Sequence, residues 1–479
     1  MSIATEKKSK DGLHYLIILF FMAVFGFIPP FSQMTPTGMK ILGIFIGVLY
    51  GWSTVGILRP TLLAIFFYGL TVGFTNFLQA SFGNFMVAMM LLLLPMMGML
   101  SKYNVLGVLA QKFVTVKFCE GHPWRLCFMI MVGAWVCVNF NSIVAAIIFV
   151  TFIKNIAEVA NIPLKSPWPT AMTMGVAMTL LVGQMQIPVF GTPLVLIGAL
   201  QSITGLSINY MKYILFIVPL GFALMFMYIL CMRYVLKIDV SPLKAVTAES
   251  MGGKVLFNSD QKKALIVMVL MIAMLLCTQI FPKGSMLNNI FSVKFGTFGI
   301  ALGMCCLMPF IKNSEGKPLF DFNDCASQGM AWEPFFLVAF IIPFSGFMTG
   351  GDTGISATLT SLMKPMFKLS PMIFMILMFA LMNFITNFAQ NTVVAIIFMP
   401  LFFAYGQATG ANMEGAYILL FIISSMAVAS PASSTLCGVM YSVPEAVDLK
   451  LTMKYAIKVL PILYVFLMLV GLPYANILF

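Results

Sequence analysis

Long uncharged apolar runs dominate this sequence and limit the folds that it can adopt. Six of them lie near residues 14–30, 39–57, 211–236, 264–281, 332–350 and 453–475. Each is about as long as a helix that crosses a bilayer. Hydrophobic residues make up 61% of the 479 residues and charged residues only 9%, whereas soluble proteins are about 25% charged. The sequence therefore predicts an all-α polytopic membrane protein.

The full segmentation predicts eleven transmembrane helices and two further apolar pairs that turn back. The predicted spans lie near 14–30, 39–57, 60–75, 85–101, 168–205, 211–236, 264–281, 294–311, 332–350, 415–443 and 453–475. The two pairs lie near 124–154 and 371–407, and we interpret them as re-entrant hairpins.

The distribution of Lys and Arg predicts the orientation in the membrane. With a cytoplasmic N-terminus, 21 of the 27 Lys and Arg residues fall on the cytoplasmic side, an excess that is typical of cytoplasmic loops. The six that fall outside are Lys40, Lys212, Lys283, Lys294, Lys364 and Lys368. This split requires both hairpins to return to their own side, and it places the C-terminus outside. We therefore interpret the net charge of +12 as a topology signal of a plasma (inner) membrane protein, and we expect no nucleic-acid partner.

The sequence also repeats itself at a long offset. "NSIVAAIIFVTF" (141–152) matches "NTVVAIIFMPLF" (391–402) at an offset of 250, and "PMMGML" (95–100) matches "PFSGFM" (343–348) at an offset of 248. Apolar residues agree easily by chance, but two separate motifs at nearly the same offset indicate a duplication.

The repeat predicts how the chain is organised. Residues 1–13 form a cytoplasmic N-terminus, 14–236 a leader helix and the first repeat, 237–263 a cytoplasmic linker, and 264–479 the second repeat. Because each repeat contributes five spans, an odd number, the two copies are inverted in the membrane. Inverted repeats with broken helices are characteristic of secondary transporters.

Uncharged polar residues are concentrated at the turn of each predicted hairpin. They are Asn139, Asn141 and Ser142 in the first hairpin, and Thr386, Asn387, Gln390, Asn391 and Thr392 in the second. Asn and Thr favour helix N-caps, so we expect a half-helix to begin just after each turn. The partial positive charge of its N-terminus provides an anion site that needs no basic side chain.

Each half also contains a predicted break within a span. The breaks are "GQMQIPVFGTPLV" (183–195) and "ASPASSTLCG" (429–438). Proline interrupts a helix because it lacks the N–H group, and both segments contain a small residue, a hydroxyl residue and proline in that order. Such residues often mark only packing or kinks, but two symmetric pairs of polar segments favour a site near the midplane.

In these motifs the chain resembles the divalent anion–sodium symporter family of the ion transporter superfamily. That family carries Ser-Asn-Thr at each hairpin turn and Thr-Pro at each unwound span. The matching positions here read Phe140-Asn141-Ser142, Gln390-Asn391-Thr392, Thr192-Pro193 and Ser430-Pro431. "FDFNDCASQGMAW" (320–332) and "GDTGISATL" (351–359) also look like family segments.

The resemblance implies an elevator-type homodimer, not an enzyme, that transports small anions, mostly di- or tricarboxylates or sulfate. The substrate-binding positions that it implies are Asn141, Ser142, Thr192, Pro193, Gln390, Asn391, Thr392, Ser430, Pro431 and Ser433. The sodium-binding positions that it implies are Asn141, Gly191, Asn391 and Ala429. No cofactor other than Na⁺ as a coupling ion is expected.

Two departures from the family pattern leave the coupling ion open. Phe140 offers no side-chain oxygen, and Gln184-Met185-Gln186 replaces a Gly-rich run. We therefore expect weaker sodium dependence than in a typical symporter, with sodium-independent anion exchange or proton coupling as the alternative. A sodium/proton antiporter is a further alternative, but proton exchange normally needs an ionisable group at membrane depth. Residues 126–153 and 371–407 contain no Asp, Glu or His.

Overall fold

The computed structural model describes residues 12–479 except 190, 248, 252, 254, 282–283, 350 and 442–446, and the described part is helical. The first half contains α1 (Gly12–Phe27), α2 (Pro36–Thr54), α3 (Leu58–Val72), α4 (Phe74–Ser81), α5 (Phe85–Lys102), α6 (Val105–Val114), α7 (Pro123–Cys137), α8 (Ser142–Val159), α9 (Pro167–Gly183), α10 (Gly191–Thr204) and α11 (Tyr210–Val235).

The second half contains α12 (Ser259–Ile280), α13 (Met286–Phe310), α14 (Phe322–Gly329), α15 (Trp332–Thr349), α16 (Ile355–Met363), α17 (Pro371–Thr386), α18 (Asn391–Thr409), α19 (Glu414–Ser424), α20 (Thr435–Tyr441) and α21 (Leu449–Leu478). One order of elements occurs twice. Two helices joined by a short turn are followed by a broken pair and a long helix, as α7–α11 and again as α17–α21. The predicted N-terminal segment lies, up to residue 11, outside the described residues.

The number of long apolar helices is smaller than the eleven spans predicted. Among the described residues, seven helices are long and apolar enough to cross a membrane, namely α5, α8, α11, α12, α13, α18 and α21. The pair α14 and α15, bent by 81°, makes an eighth if it is one span. Breaks divide the spans predicted at 168–205 and 415–443 into shorter helices, and this division explains part of the difference.

The broken helices form the centre of the core. All residues of α9 from Trp168 to Gly183 are buried, as are the residues of α19 from Gly415 to Ser424. A helix that is apolar all round is buried on every side. Both helices are therefore fixed by packing along their full length, up to the points at which they break.

The two halves are interlocked around these helices. Within each half, the hairpin packs against the first part of the broken helix, so that α7 and α8 contact α9, and α17 and α18 contact α19. The second parts cross over, since α10 packs against α18 and α20 packs against α8. The second part of each broken helix therefore packs against the hairpin of the other half.

A close helix contact accounts for the segment that precedes α15. The amphipathic helix α14 packs on α5 with Gly98 against Gly329, and a Cβ atom on Gly98 would lie 2.0 Å from the carbonyl oxygen of Cys325. Lys102 Nζ also lies 3.1 Å from Asp324 Oδ2. Backbone contact and an ion pair therefore hold α14 across the end of α5.

Loops that were predicted to lie on the cytoplasmic side contact one another. Gln261 Nε2 donates to the Tyr103 carbonyl oxygen at 3.0 Å, and Lys263 Nζ donates to the Lys312 carbonyl oxygen at 2.8 Å. The predicted spans alternate in direction across the membrane, and this alternation places these loops on the same side. The assignment of the group to the cytoplasmic face stays a prediction.

Candidate functional site

The first hairpin turn is organised by Asn141. Its side-chain Oδ1 accepts from the Val144 N–H at 3.0 Å, so Asn141 is the N-cap of α8, as the sequence predicted. Its Nδ2 lies 3.5 Å from Ser101 Oγ at the end of α5. Ser142 is the first residue of α8 and is half-buried, and Phe140 is buried beside it. The amide of Asn141 thus caps the half-helix and presents its NH₂ group toward another part of the protein.

The second hairpin turn leaves an amide donor without a partner. Asn391 is only 3% exposed and is the first residue of α18. It was predicted to be the N-cap, so the helix begins one residue earlier than predicted. Its Oδ1 accepts from the Thr392 N–H at 2.9 Å, whereas its Nδ2 has no hydrogen-bond partner among the described residues. Gln390 takes the N-cap position but makes no side-chain cap. A buried unpaired donor costs about 1–3 kcal/mol, so this atom is suited to a ligand.

Asn387 fastens the second turn to the second break. Its Oδ1 accepts from the N–H groups of Val428 and Ala429, both at 2.9 Å. Its Nδ2 donates to the carbonyl oxygens of Asn383 at 2.7 Å and Met426 at 3.3 Å. One buried side chain therefore supplies partners for three backbone groups of the break, groups that have no helix to satisfy them.

Two hydroxyl groups in the second break are used within it. Ser430 Oγ donates to the Asn387 carbonyl oxygen at 2.6 Å. Ser433 Oγ lies 2.7 Å from the carbonyl oxygens of both Ala427 and Ser430. Pro431 opens a 3₁₀ turn that ends at Ser433. Both hydroxyl donors therefore support the path of the backbone here.

The boundaries of the second break differ from those predicted. α19 ends at Ser424 and α20 begins at Thr435, so the break covers 425–434 instead of 429–438. The hydroxyl groups of Ser424 and Ser425 donate back to the Phe421 carbonyl oxygen, at 2.9 and 2.8 Å. Such local bonds compete with helix continuation and account for the earlier end of α19.

The first break is also shorter than predicted, and α10 resumes at Gly191. Thr192 and Pro193 lie in the first turn of α10, where proline is tolerated because N–H groups have no helical partner there. Gly191 has a φ of +51°, a left-handed conformation that glycine adopts without strain. The break itself covers 184–190, and of these residues Phe190 lies outside the described part.

Gln186 fastens the first break to the first hairpin. Its Nε2 donates to the Trp135 carbonyl oxygen at 2.6 Å and to the Gly183 carbonyl oxygen at 2.8 Å. Trp135 lies in the last turn of α7, and Gly183 is the last residue of α9. In both halves a side-chain amide bonds the break to the hairpin. In the first half this amide, of Gln186, belongs to the break, and in the second half the amide, of Asn387, belongs to the hairpin.

The polar segments carry no charged side chain. Residues 138–142, 184–193, 387–392 and 425–435 contain no Asp, Glu, Lys, Arg or His. The electrostatic field there comes from amides, hydroxyls and the N-termini of α8, α10 and α18, each of which supplies about half a positive elementary charge. This arrangement favours a small anion.

A cavity of about 270 Å³ lies elsewhere, lined by residues that include Lys212, Glu414 and Tyr417. It is at the C-terminal end of α10, so the length of that helix, about 21 Å for 14 residues, separates it from the first break. No group of three or more His, Cys, Asp and Glu residues that could hold a metal ion occurs among the described residues.

Three residues that shape the site had no specific role predicted from the sequence, namely Ser101, Gln186 and Asn387. Asn387 was predicted only as one of the polar residues at the second turn, and it follows Asn383 by four residues, a spacing that places both on one helix face. The partner of Gln186 lies 51 residues away.

Comparison with known proteins is decisive for the family. The model of the sodium:sulfate symporter transmembrane region matches residues 9–479. The chain belongs to this family. The resemblance to the divalent anion–sodium symporters is therefore confirmed over nearly the whole chain, and the protein is a multi-pass membrane transporter of the sodium:sulfate symporter family.

Solved structures support the same fold. The chain is similar to the YdaH transporter of Alcanivorax borkumensis, with 12% sequence identity, a TM-score of 0.57, and coverage of 95% of this chain and 96% of that one. That crystal structure is described as having an unusual topology. No curated protein sequence matches the chain.

Proposed function

We propose that this symporter-family protein moves small organic anions, di- or tricarboxylates, across the plasma membrane by alternating access. The observation that carries the proposal is the unpartnered Nδ2 of Asn391, buried at the N-terminus of α18 in a segment without charge. A carboxylate oxygen accepts such a donor with a charge-assisted hydrogen bond, which is stronger than a neutral one.

The proposed site combines both halves. Asn141 and Ser142 supply polar groups from the first turn, and Asn391 and Thr392 from the second. Thr192 and Pro193 lie in the first turn of α10, whose N-terminus we include in the site, while Ser430, Pro431 and Ser433 shape the second break. We further propose that the protein is a homodimer and that the interlocked hairpins and broken helices move together as an elevator.

Sulfate is the second candidate substrate, because the matched family is described as a sodium:sulfate symporter region. A sulfate ion and a dicarboxylate share the double negative charge and differ in length. We rank the carboxylate first because the proposed site takes polar groups from two separate turns, one for each carboxylate.

Uptake into proteoliposomes tests the proposal. Labelled succinate, citrate, 2-oxoglutarate and sulfate are supplied with and without a sodium gradient, and with or without unlabelled anion inside. We expect saturable uptake of a carboxylate that is abolished by Asn391→Ala. Sulfate uptake alone would favour the second candidate, and absence of anion uptake under every condition would contradict the proposed function.

A further inference from the structure

The carbonyl oxygens at the first turn are the groups on which a coupling cation would depend. In secondary transporters, Na⁺ is coordinated by unwound backbone carbonyls and by the C-terminal ends of half-helices. At the first turn these ends belong to α7 and α9. The last four carbonyl groups of a helix have no partner within it, so they are available to an ion unless other donors fill them.

In α7 all four terminal carbonyl oxygens are filled by the protein. The Val138 N–H donates to the Ala134 carbonyl oxygen at 3.0 Å, and the Phe140 N–H donates to the Cys137 carbonyl oxygen at 3.1 Å. Asn139 Nδ2 lies 3.0 Å from the carbonyl oxygen of Trp135 and 3.3 Å from that of Val136, the two in between. This end of α7 therefore has its hydrogen-bonding needs met without an ion.

Gln186 adds a donor where α7 and α9 meet. Its Nε2 lies 2.6 Å from the carbonyl oxygen of Trp135 and 2.8 Å from that of Gly183. Because carbonyl oxygens only accept hydrogen bonds, the nitrogen of this amide must face them, and not its oxygen. One NH₂ group thus bridges the C-terminal ends of α7 and α9, in the position that a cation coordinated by both carbonyl oxygens would occupy.

We propose that the side-chain amide of Gln186 replaces a coupling cation at the first turn, so that the first half of this transporter binds no sodium. The inference rests on the proposed function. The amide hydrogens carry partial positive charge toward both carbonyl oxygens. The residues at the first turn therefore do not fit a sodium ion, although Asn141 and Gly191 were predicted to hold one.

The second half differs in its carbonyl groups. Asn387 Nδ2 fills the carbonyl of Met426. No donor among the described residues reaches the carbonyl oxygens of Thr386, the last residue of α17, and Ala429, in the second break. The last carbonyl of α7 is filled, whereas no described donor fills the last carbonyl of α17, so we expect sodium coupling, where it occurs, at the second turn, and a single coupled cation gives a non-cooperative dependence on sodium.

Gln186→Ala tests the inference, with Gln184→Ala as the matched control. Gln184 lies in the same break and has no side-chain hydrogen bond among the described residues. In substrate-free protein, we expect sodium, compared with potassium, to raise the Tm of Gln186→Ala by more than it raises that of the wild type or of Gln184→Ala. In initial-rate uptake, the Hill coefficient for sodium should rise by about one in Gln186→Ala, since it is limited by the number of sites.

Gln186→Glu keeps the test decisive if Gln186→Ala does not fold. An ionised carboxylate cannot donate to the two carbonyl oxygens and places a negative charge beside them, so it favours a cation there, and the Tm of this variant should depend on sodium. Steep, cooperative sodium dependence of the wild type would overturn the inference, as would sodium responses of the folded variants that equal that of the wild type. The Tm measurements need no substrate, so failure of the proposed function is distinguished from failure of this inference.

Discussion

Asn387→Ala is the substitution for which the structure predicts the clearest loss. Asn387 is 3% exposed and accepts from the N–H groups of Val428 and Ala429 while it donates to the carbonyl oxygen of Met426. Its removal leaves these three backbone groups of the second break without a partner. The break would then lose the contact that holds it against the second hairpin turn.

The magnitude follows from the two N–H groups. Leaving a buried donor unpaired costs about 1–3 kcal/mol, so the two N–H groups together cost about 2–6 kcal/mol. Each 1.4 kcal/mol corresponds to a factor of ten in an equilibrium constant. If ligand binding requires the break in its present path, we expect Asn387→Ala to weaken substrate binding by at least about tenfold.

Binding and uptake measurements separate positioning from folding. A loss of folded protein lowers the maximal rate and leaves KM unchanged, whereas a displaced break raises both Kd and KM. Wild-type Kd and KM in Asn387→Ala would refute the positioning role.

Four further predictions concern the turns, the packing and the topology. Asn391→Ala should abolish substrate binding in a binding measurement, because its Nδ2 makes no bond within the described part of the protein and is open to a ligand. Asn141→Ala should abolish uptake and lower stability by about 1 kcal/mol through loss of the cap, and Asn141→Ser should restore Tm but not uptake. Gly98→Leu should prevent α14 from packing on α5, and Tm measurement with size-exclusion chromatography checks this. A cysteine at Lys450 should be labelled from the cytoplasmic side only and one at Ser285 from outside only, and the reverse pattern would contradict the charge-based topology. A cysteine at Lys254, which lies outside the described residues, should likewise be labelled from the cytoplasmic side only.

Local sequence signals were sufficient to find the polar turns and the breaks. Asn141 caps α8 because its side chain accepts from an N–H three residues ahead, and that bond depends only on neighbouring residues. A small residue followed by a hydroxyl residue and proline marked both breaks for equally local reasons. The boundaries were wrong by several residues, since the serine hydroxyls that end α19 act through carbonyl groups that the proline pattern does not reveal.

The bridging amides could not be predicted in the same way. Gln186 reaches Trp135 across 51 residues, and Asn387 reaches Val428 across 41. Which glutamine or asparagine side chain bonds to unpaired backbone groups depends on how α7, α9, α17 and α19 pack. The hydrophobic periodicity of the sequence does not predict that packing. The role of Gln186 was therefore seen in the sequence only as a departure from a Gly-rich run.

The use of amides where charges would be expected has a physical reason. A charged side chain at membrane depth is costly unless it is paired, and the backbone of a broken helix needs donors and acceptors on both of its sides. An amide provides both without charge, as Asn387 does for the N–H groups of Val428 and Ala429 and the carbonyl of Met426. If the proposed dianion binds here, no side chain compensates its charge, so the helix N-termini supply the compensation within the protein. The amide of Gln186 occupies one of the two turns where a coupling cation was predicted to bind.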